Sequence, residues 1–431
     1  MFDADRFERP DRRLAVECVE AGIEAARPER AIPSAVGLDG STLRIDETQI
    51  DLSGVERVLV LGGGNAAGPM AAALEDVLGD RIDGGAVVTD TPRPTDRIET
   101  FEGDHPLASP RNRRATRALL ERARAAGPED LVLAPITGGG SALLCAPAGD
   151  LTVDDLAATT DALLRAGEPI ERINRIRRRC SVLKGGGLAA AIAPARTIGL
   201  LISDVIGDPH LIASGPLSPD PGVEPSLPEG VAVPAPVRDH LADGGTVGPA
   251  ADDPVFDRVT RAVVADGDTA IHGAAARARA AGVDPVVLST RIRGPAAPAA
   301  TTHVAIAEEI AATGRPVEPP AVLLSGGETT VAVAGSGAGG PNTTFATRAA
   351  LEARDGPAIA VASVDTDGRD GSADAAGAVV TETTVEAPDR ARQALADDDT
   401  ATYLRERAAL LEAGPTGTNV NDLRAVVIDP T

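Results

Sequence analysis

The stretch Val55-Glu56-Arg57-Val58-Leu59-Val60-Leu61-Gly62-Gly63-Gly64-Asn65-Ala66-Ala67 decides the fold. An apolar run ends in three glycines, and Ala66 to Leu78 then carries apolar residues at helical spacing. Strand, glycine turn and helix in that order open a parallel β-α-β unit. The rhythm repeats. Gly85 to Thr89 reads as a strand before a proline-rich loop, and Asn112 to Ala126 reads as a helix. Leu131 to Ala134 is a strand leading into Thr137-Gly138-Gly139-Gly140-Ser141, and Ile198 to Ile202 is one leading into Ser203-Asp204. Short buried strands alternating with helices of about 12 residues predict a doubly wound, Rossmann-like parallel sheet in a three-layer α/β domain.

At 431 residues the chain exceeds what one core usually serves, so two domains are expected. Pro219 to Gly248 is rich in Pro, Gly and Asp and reads as the linker or a long surface loop. The domains are therefore placed at 1-245 and 250-431. In the second, smaller α/β domain, Val259 to Ala265, Pro285 to Leu288, Ala321 to Leu324, Thr329 to Ala334 and Ala358 to Val364 read as strands.

Composition removes several classes of function. The balance of 41 basic against 64 acidic residues, a net of −23, repels nucleic acids and anionic membranes. Lys184 is the only lysine, and acidity with almost no lysine is expected of a salt-adapted, halophilic protein or of a GC-rich genome. No run approaches 18 apolar residues, and Met1 to Pro10 has no apolar signal centre, so a cytoplasmic location is expected. Cys18, Cys145 and Cys180 are scattered without metal-ligand spacing and read as small buried hydrophobes.

The chemistry concentrates where strands end. Open α/β sheets bind ligands there, and glycine lets main-chain N–H groups approach an anion. Glycines gather at 62–64, 138–140, 185–187, 326–327 and 335–340. Beside them stand hydroxyl and amide residues, so Gly62, Gly63, Gly64, Asn65, Gly138, Gly139, Gly140, Ser141, Gly326, Gly327, Asn342, Asn419 and Asn421 are the candidate nucleotide-binding set. Turn geometry is the alternative explanation for the glycines and asparagines, but five such loops beside Ser, Thr, Asn and Asp favour a phosphate site. A Walker A loop is excluded, because Gly185 follows the one lysine. Gly62-x-Gly64-x-x-Ala67, with Asp90 after the next strand, fits a dinucleotide fingerprint and keeps an NAD(P)H dehydrogenase as the alternative.

Lys184 stands before three glycines, where a flexible point charge reaches a phosphoryl group in transfer. Asn174-Arg175-Ile176-Arg177-Arg178-Arg179 precedes it and supplies cations for a carboxylate or polyphosphate. Carboxylates fall in two groups after strands: Asp204 with Asp208, and Asp365, Asp367, Asp370 and Asp374 in DTDGRDGSAD. Strand-end aspartates suit Mg²⁺. The second run is not an EF-hand, because Arg369 and Ala376 occupy ligand positions.

Taken in order, the blocks Thr137-Gly-Gly-Gly-Ser141, Leu183-Lys-Gly-Gly186, Ser203-Asp-Val-Ile-Gly-Asp208, Ile212-Ala-Ser-Gly-Pro216, Leu324-Ser-Gly-Gly-Glu-Thr-Thr330, Asp367-Gly-x-Asp-Gly371 and Gly414-Pro-Thr-Gly-Thr-Asn-Val-Asn-Asp-Leu423 span nearly the whole chain. This series resembles the glycerate 2-kinases that carry a MOFRL-type C-terminal domain. The resemblance implies ATP-dependent phosphorylation of D-glycerate to 2-phosphoglycerate with Mg²⁺, in a cleft between two α/β domains. Relatives also carry the label hydroxypyruvate reductase, the alternative activity. A catalytically reduced nucleotide- or sugar-acid-binding paralogue is a further alternative.

On that pattern Lys184 faces the transferred phosphoryl group, Arg175 or Arg178 holds the substrate carboxylate, and Asp204 or Glu328 accepts the hydroxyl proton. Metal ligands are sought among Asp204, Asp208, Asp367 and Asp370. The expected partners are a small hydroxy acid and a nucleotide, with a homodimer left open. Two positions depart from the family pattern: Asn65 stands where lysine is frequent, and Pro341-Asn-Thr-Thr-Phe345 replaces Arg-Asn-Gln-Glu-Phe.

Overall fold

A computed structural model describes residues 1–220, 222 and 226–429. It consists of two compact units. One is Pro28–Val264; the other joins Met1–Arg27 to the chain from Ala265 onward.

The Pro28–Val264 unit begins with a small antiparallel sheet of β1 (Val36–Asp39), β2 (Thr42–Ile45) and β3 (Thr48–Asp51). Its main sheet contains β4 (Val58–Gly63), β5 (Gly84–Thr89), β6 (Ile98–Glu102), β7 (Leu131–Thr137), β8 (Arg196–Ile202) and β9 (Val259–Ala265), in the order β6-β5-β4-β7-β8-β9. Pairings from β6 to β8 are parallel. The order reverses between β4 and β7, which is the switch point where a doubly wound sheet opens its ligand crevice. β7 is buried along its whole length, so it reads as a continuous apolar run without alternation. The helix Pro110–Arg124 starts where Ser109 accepts from the N–H groups of Arg111 and Asn112, with proline in its first turn. It lays Leu119, Leu120 and Ala123 on Val132 and Ala134 of β7.

The Pro219–Gly248 stretch is not a simple linker. Among its described residues is the helix Ala235–Ala242, whose Val237 joins a small core with Leu163, Ile173, Ile176 and Cys180. Residues 221 and 223–225 of that stretch lie outside the described residues. Low periodicity concealed a short helix held by one apolar contact face.

The second unit has one mixed sheet of β10 (Asp284–Pro295), β11 (Ala321–Thr330), β12 (Ile359–Asp365), β13 (Gly377–Thr381), β14 (Leu410–Leu411) and β15 (Asp422–Ile428), in the order β10-β11-β15-β12-β13-β14. Only the β10–β11 pair is parallel among these described strands. Small residues fill its core: Ala300, Ala346, Ala349 and Ala378 pack with Val361, Val426 and the buried rings of Phe345 and Tyr403. The helix Pro10–Ala26 belongs here, with Cys18, Val19 and Ile23 fully buried. A side chain at Gly22 would stand 2.4 Å from Leu423 Cδ2, so this glycine marks a close helix-sheet contact. Such long-range packing has no local signature, which is why the first 27 residues read as part of the N-terminal domain.

Gly326 and Gly327 were expected in a loop between two strands, but β11 runs through both of them. Gly327 has φ 128°, and a Cβ there would stand 2.2 Å from the Ile292 carbonyl, opposite an irregular register in β10. Close strand approach, rather than a ligand, accounts for it.

Candidate active site

Two glycine loops meet at the switch point. The turn after β4 donates its N–H groups inward: Gly64 to the Val88 carbonyl (3.0 Å), Asn65 to the Gly138 carbonyl (2.8 Å), and Ala66 to Thr137 Oγ1 (3.1 Å). Gly62 and Gly64 are required by packing, because a Cβ would stand 2.0 Å from the Pro135 carbonyl and 2.2 Å from Thr137 Oγ1. The same holds at Gly63, against Leu144. This turn therefore closes the sheet and does not present its amides to an anion.

The loop after β7 is different. For the N–H groups of Gly139, Gly140 and Ser141 no main-chain acceptor is found among the described residues. A carboxylate oxygen of Asp204, at the end of β8, lies 2.7 Å from where a Cβ on Gly138 would stand. Asn65 Oδ1 is buried and would meet a Cβ on Gly139 at 1.8 Å. Gly138–Ser141, Asn65 and Asp204 thus form one local group.

Lys184 is buried, 5% exposed, and its ammonium donates to the Leu144 carbonyl at 2.9 Å. Burial lowers its pKa to about 8; the Cys145 thiol opposes this, nearby Arg177 adds to it by less, and the Cys180 thiol opposes it least. The glycines after it tie the backbone to the turn at Ser214: Gly185 donates to the Ser214 carbonyl and Gly186 to that of Gly215. Ala213 and Ser214 hold left-handed backbone, φ 55° and 65°, a strain on the order of 1 kcal/mol each. That conformation sets the Ser214 hydroxyl 2.7 Å from the Ser141 hydroxyl and 3.2 Å from Asn174 Oδ1.

Ser141 and Lys184 border a cleft of about 540 Å³, counted with the solvent at its mouth. Its polar end has Ser141, Arg177, Ser181 and Lys184; its apolar wall has Leu107, Leu156, Leu163 and Ile176. Cys145 and Cys180 also line it, and burial raises both thiols, Cys180 to about 12. They are free, buried and chemically quiet.

The arginines fall otherwise than the sequence reading proposed. Arg175 donates along its own helix, Ile170–Arg179, to the Glu171 carbonyl. Arg178 is influenced by Asp220, and Arg179 pairs with that aspartate at 3.5 Å. Arg177 is the one of the run that lines the cleft, and it donates to Asn174 Oδ1 at 3.2 Å. Asn174 and Arg177 are three residues apart, a helical-face spacing that the four clustered arginines obscured. Asp208 caps the turn at His210 and is exposed.

In the other unit, Asp370 accepts from the N–H groups of Asn342 (2.8 Å) and Thr343 (2.7 Å) and from the Thr343 hydroxyl (2.8 Å), at the start of the helix Pro341–Ala353. Asn342, fully buried, donates to Asp422 at 2.6 Å and accepts from Ser363. Asp422 also takes N–H and O–H of Thr329 and the guanidinium of buried Arg424. Asp365 pairs across the sheet with Asp422, and burial with neighbouring carboxylates raises the pKa of Asp365 well above its usual range. Burial raises Asp367 and Asp370 as well. Glu328 reaches solvent, with its carboxyl raised by partial burial and then by Asp422. Asn419 turns back on the Asn421 N–H, and Asn421 has φ 69°, so these two shape a turn. No group of three or more metal-ligating side chains is found among the described residues.

Residues 14–226 match the family DUF4147, described as a domain of unknown function, and residues 321–422 match the MOFRL family. The glycerate 2-kinase of Pyrococcus horikoshii is 35% identical, over 97% of this chain and 97% of its own. A solved structure, the glycerate kinase of Thermotoga maritima, superposes with a TM-score of 0.83 at 32% identity, covering 97% of this chain and 99% of that one. A protein of Agrobacterium vitis with the provisional name hydroxypyruvate reductase is 38% identical, over 86% of this chain and 99% of its own.

The chain belongs to the glycerate 2-kinase family.

In this glycerate 2-kinase relative the DUF4147 match contains Ser141, Arg177, Lys184 and Asp204. The MOFRL match contains Glu328, Asn342 and the carboxylates from Asp365 to Asp422. No helix among the described residues is long and apolar enough to cross a membrane.

Proposed function

We propose that this chain transfers the γ-phosphoryl group of ATP to the 2-hydroxyl of D-glycerate, giving 2-phospho-D-glycerate and ADP, with Mg²⁺. The observation that carries the reading is Lys184. Its ammonium is buried at the polar end of a cleft, and no carboxylate contributes to its environment among the described residues. A buried cation without a counter-charge is costly and is compensated when an anion binds.

Phosphoryl transfer asks the protein chiefly for positioning and charge neutralisation. The Gly138–Ser141 loop offers N–H groups and a hydroxyl to phosphate oxygens. Lys184 offsets the charge on the phosphoryl group as it moves. Asp204, beside that loop, would hold the magnesium ion, whose role when bound is to neutralise phosphate charge. Asp370 does not fit as a direct ligand, because both its oxygens already accept from the Pro341–Ala353 helix. The reductase reading is weaker. A nicotinamide dinucleotide would rest its pyrophosphate on the turn at Gly62–Ala67, and that turn's N–H groups are already bonded inside the sheet. The acid-rich, lysine-poor chain fits work in a salt-rich cytoplasm.

The test is ADP release coupled to D-glycerate and Mg·ATP in molar salt, with the phosphorylated carbon identified by ³¹P NMR. Glycerate-dependent ADP and a 2-phosphate product are expected. Hydroxypyruvate-dependent loss of NAD(P)H absorbance without ADP release overturns the reading.

A further inference from the structure

Arg177 is a second buried-side cation in the same cleft as Lys184, and it too has no carboxylate partner among the described residues. Its guanidinium is lowered from the ordinary value by burial, and the Lys184 ammonium is a like-charged neighbour. Its one side-chain bond among the described residues goes to a neutral acceptor, Asn174 Oδ1. In a chain with 64 acidic residues against 41 basic ones, leaving two neighbouring cations without an acid is unusual. Neighbouring arginines show the ordinary arrangement: Arg172 pairs with Glu168 and Arg179 with Asp220.

Asn174 explains how the charge is kept available. Its Oδ1 accepts from Arg177 and from the Ser214 hydroxyl, which in turn meets the Ser141 hydroxyl of the glycine loop. An amide oxygen orients a guanidinium without neutralising it, whereas an aspartate of the same shape would cancel it. The two cations also differ in kind. A guanidinium presents a planar fork matched to a carboxylate, while an ammonium is a point charge suited to a phosphoryl group in motion.

We infer that Arg177 is the carboxylate-binding residue of the substrate subsite, and that Asn174 is its positioning residue, fixed through Ser214 to the phosphate loop. This rests on the kinase reading for the identity of the acid, and it restricts the acceptors to 2-hydroxy acids over uncharged polyols such as glycerol.

The experiment measures KM and kcat for D-glycerate and for ATP, together with D-glycerate binding by calorimetry without nucleotide. Arg177→Ala should raise the D-glycerate KM about 100-fold and Arg177→Lys about 10-fold, with the ATP KM unchanged. Asn174→Asp keeps the acceptor oxygen but supplies the missing counter-charge, so it should impair glycerate binding as strongly as Arg177→Ala while its melting temperature stays at wild type. A merely structural asparagine predicts the opposite, a harmless Asn174→Asp. Wild-type glycerate KM in both Arg177→Lys and Asn174→Asp overturns the subsite and leaves the kinase reading standing. If the wild type binds D-glycerate but releases no ADP, and Arg177→Lys loses that binding, the subsite stands and the kinase reading falls.

Discussion

Lys184 donates its ammonium to the main-chain carbonyl of Leu144 at 2.9 Å. A neutral acceptor steadies the side chain and leaves its charge uncompensated, so burial dominates its titration and the pKa falls to about 8. In the free enzyme the cation is then lost as pH rises through 8. We expect kcat/KM for glycerate phosphorylation to decline above that pH, and Lys184→Ala to lower turnover at pH 7 by two orders of magnitude or more, about the effect of removing one preorganised donor. Lys184→Arg should be slow but free of the alkaline decline. An identical decline in the arginine variant would assign the titration to another group.

The same shift has a sign for stability. The folded pKa of about 8 lies below the ordinary 10.5, so the folded state is penalised while the lysine is charged. That penalty is complete below pH 8 and is relieved progressively between 8 and 10.5. Relative to Lys184→Met, the unliganded wild type should therefore gain stability over that interval, by up to about 3 kcal/mol. Denaturant unfolding at pH 7 and pH 10, at constant salt, measures it; a flat difference would mean that the ammonium is hydrated in solution.

Sequence carried the first unit far. Apolar runs, followed by glycine after β4 and β7, by a proline-rich loop after β5 and by Ser203-Asp204 after β8, located these four strands, because fully buried parallel strands write themselves as unbroken hydrophobic text. It also singled out Lys184, since a lone lysine needs no alignment to be noticed. Other features are three-dimensional and left no local mark. Whether Arg175, Arg177 or Arg178 lines the cleft depends on how Ile173, Ile176 and Cys180 dock their helix. The glycines at 62–64 and 326–327 look alike in text, yet close packing explains 62–64 and Gly327, while Gly326 has room for a side chain. The aspartates of DTDGRDGSAD resemble metal ligands, while Asp370 binds a helix that begins almost thirty residues earlier in the chain.

The packing account of the first glycine turn can be checked directly. Gly62→Ala places a methyl group 2.0 Å from the Pro135 carbonyl, a contact that only backbone movement relieves. Gly54 has open space within 4 Å and ordinary backbone, so Gly54→Ala serves as the control. We expect Gly62→Ala to lose several kcal/mol, on the scale of severe overpacking, or to fail to fold, and Gly54→Ala to stay within about 0.5 kcal/mol of wild type. Near-native stability with weakened nucleotide binding in Gly62→Ala would return this turn to the phosphate site.

Asp370 separates a structural carboxylate from a metal ligand. It takes two main-chain N–H groups and a hydroxyl at the first turn of the helix Pro341–Ala353, and a side chain at Gly340 would collide with it. Removing it strands buried donors, at a cost of about 2–4 kcal/mol. Asp370→Ala should therefore lower the unfolding midpoint clearly, and Asp370→Asn, which retains one acceptor oxygen, should lower it less. Neither change should alter the Mg²⁺ concentration for half-maximal activity in whatever fraction stays folded. Unchanged stability with a raised Mg²⁺ requirement would instead make this aspartate a ligand, and would require the helix to release both of its oxygens during turnover.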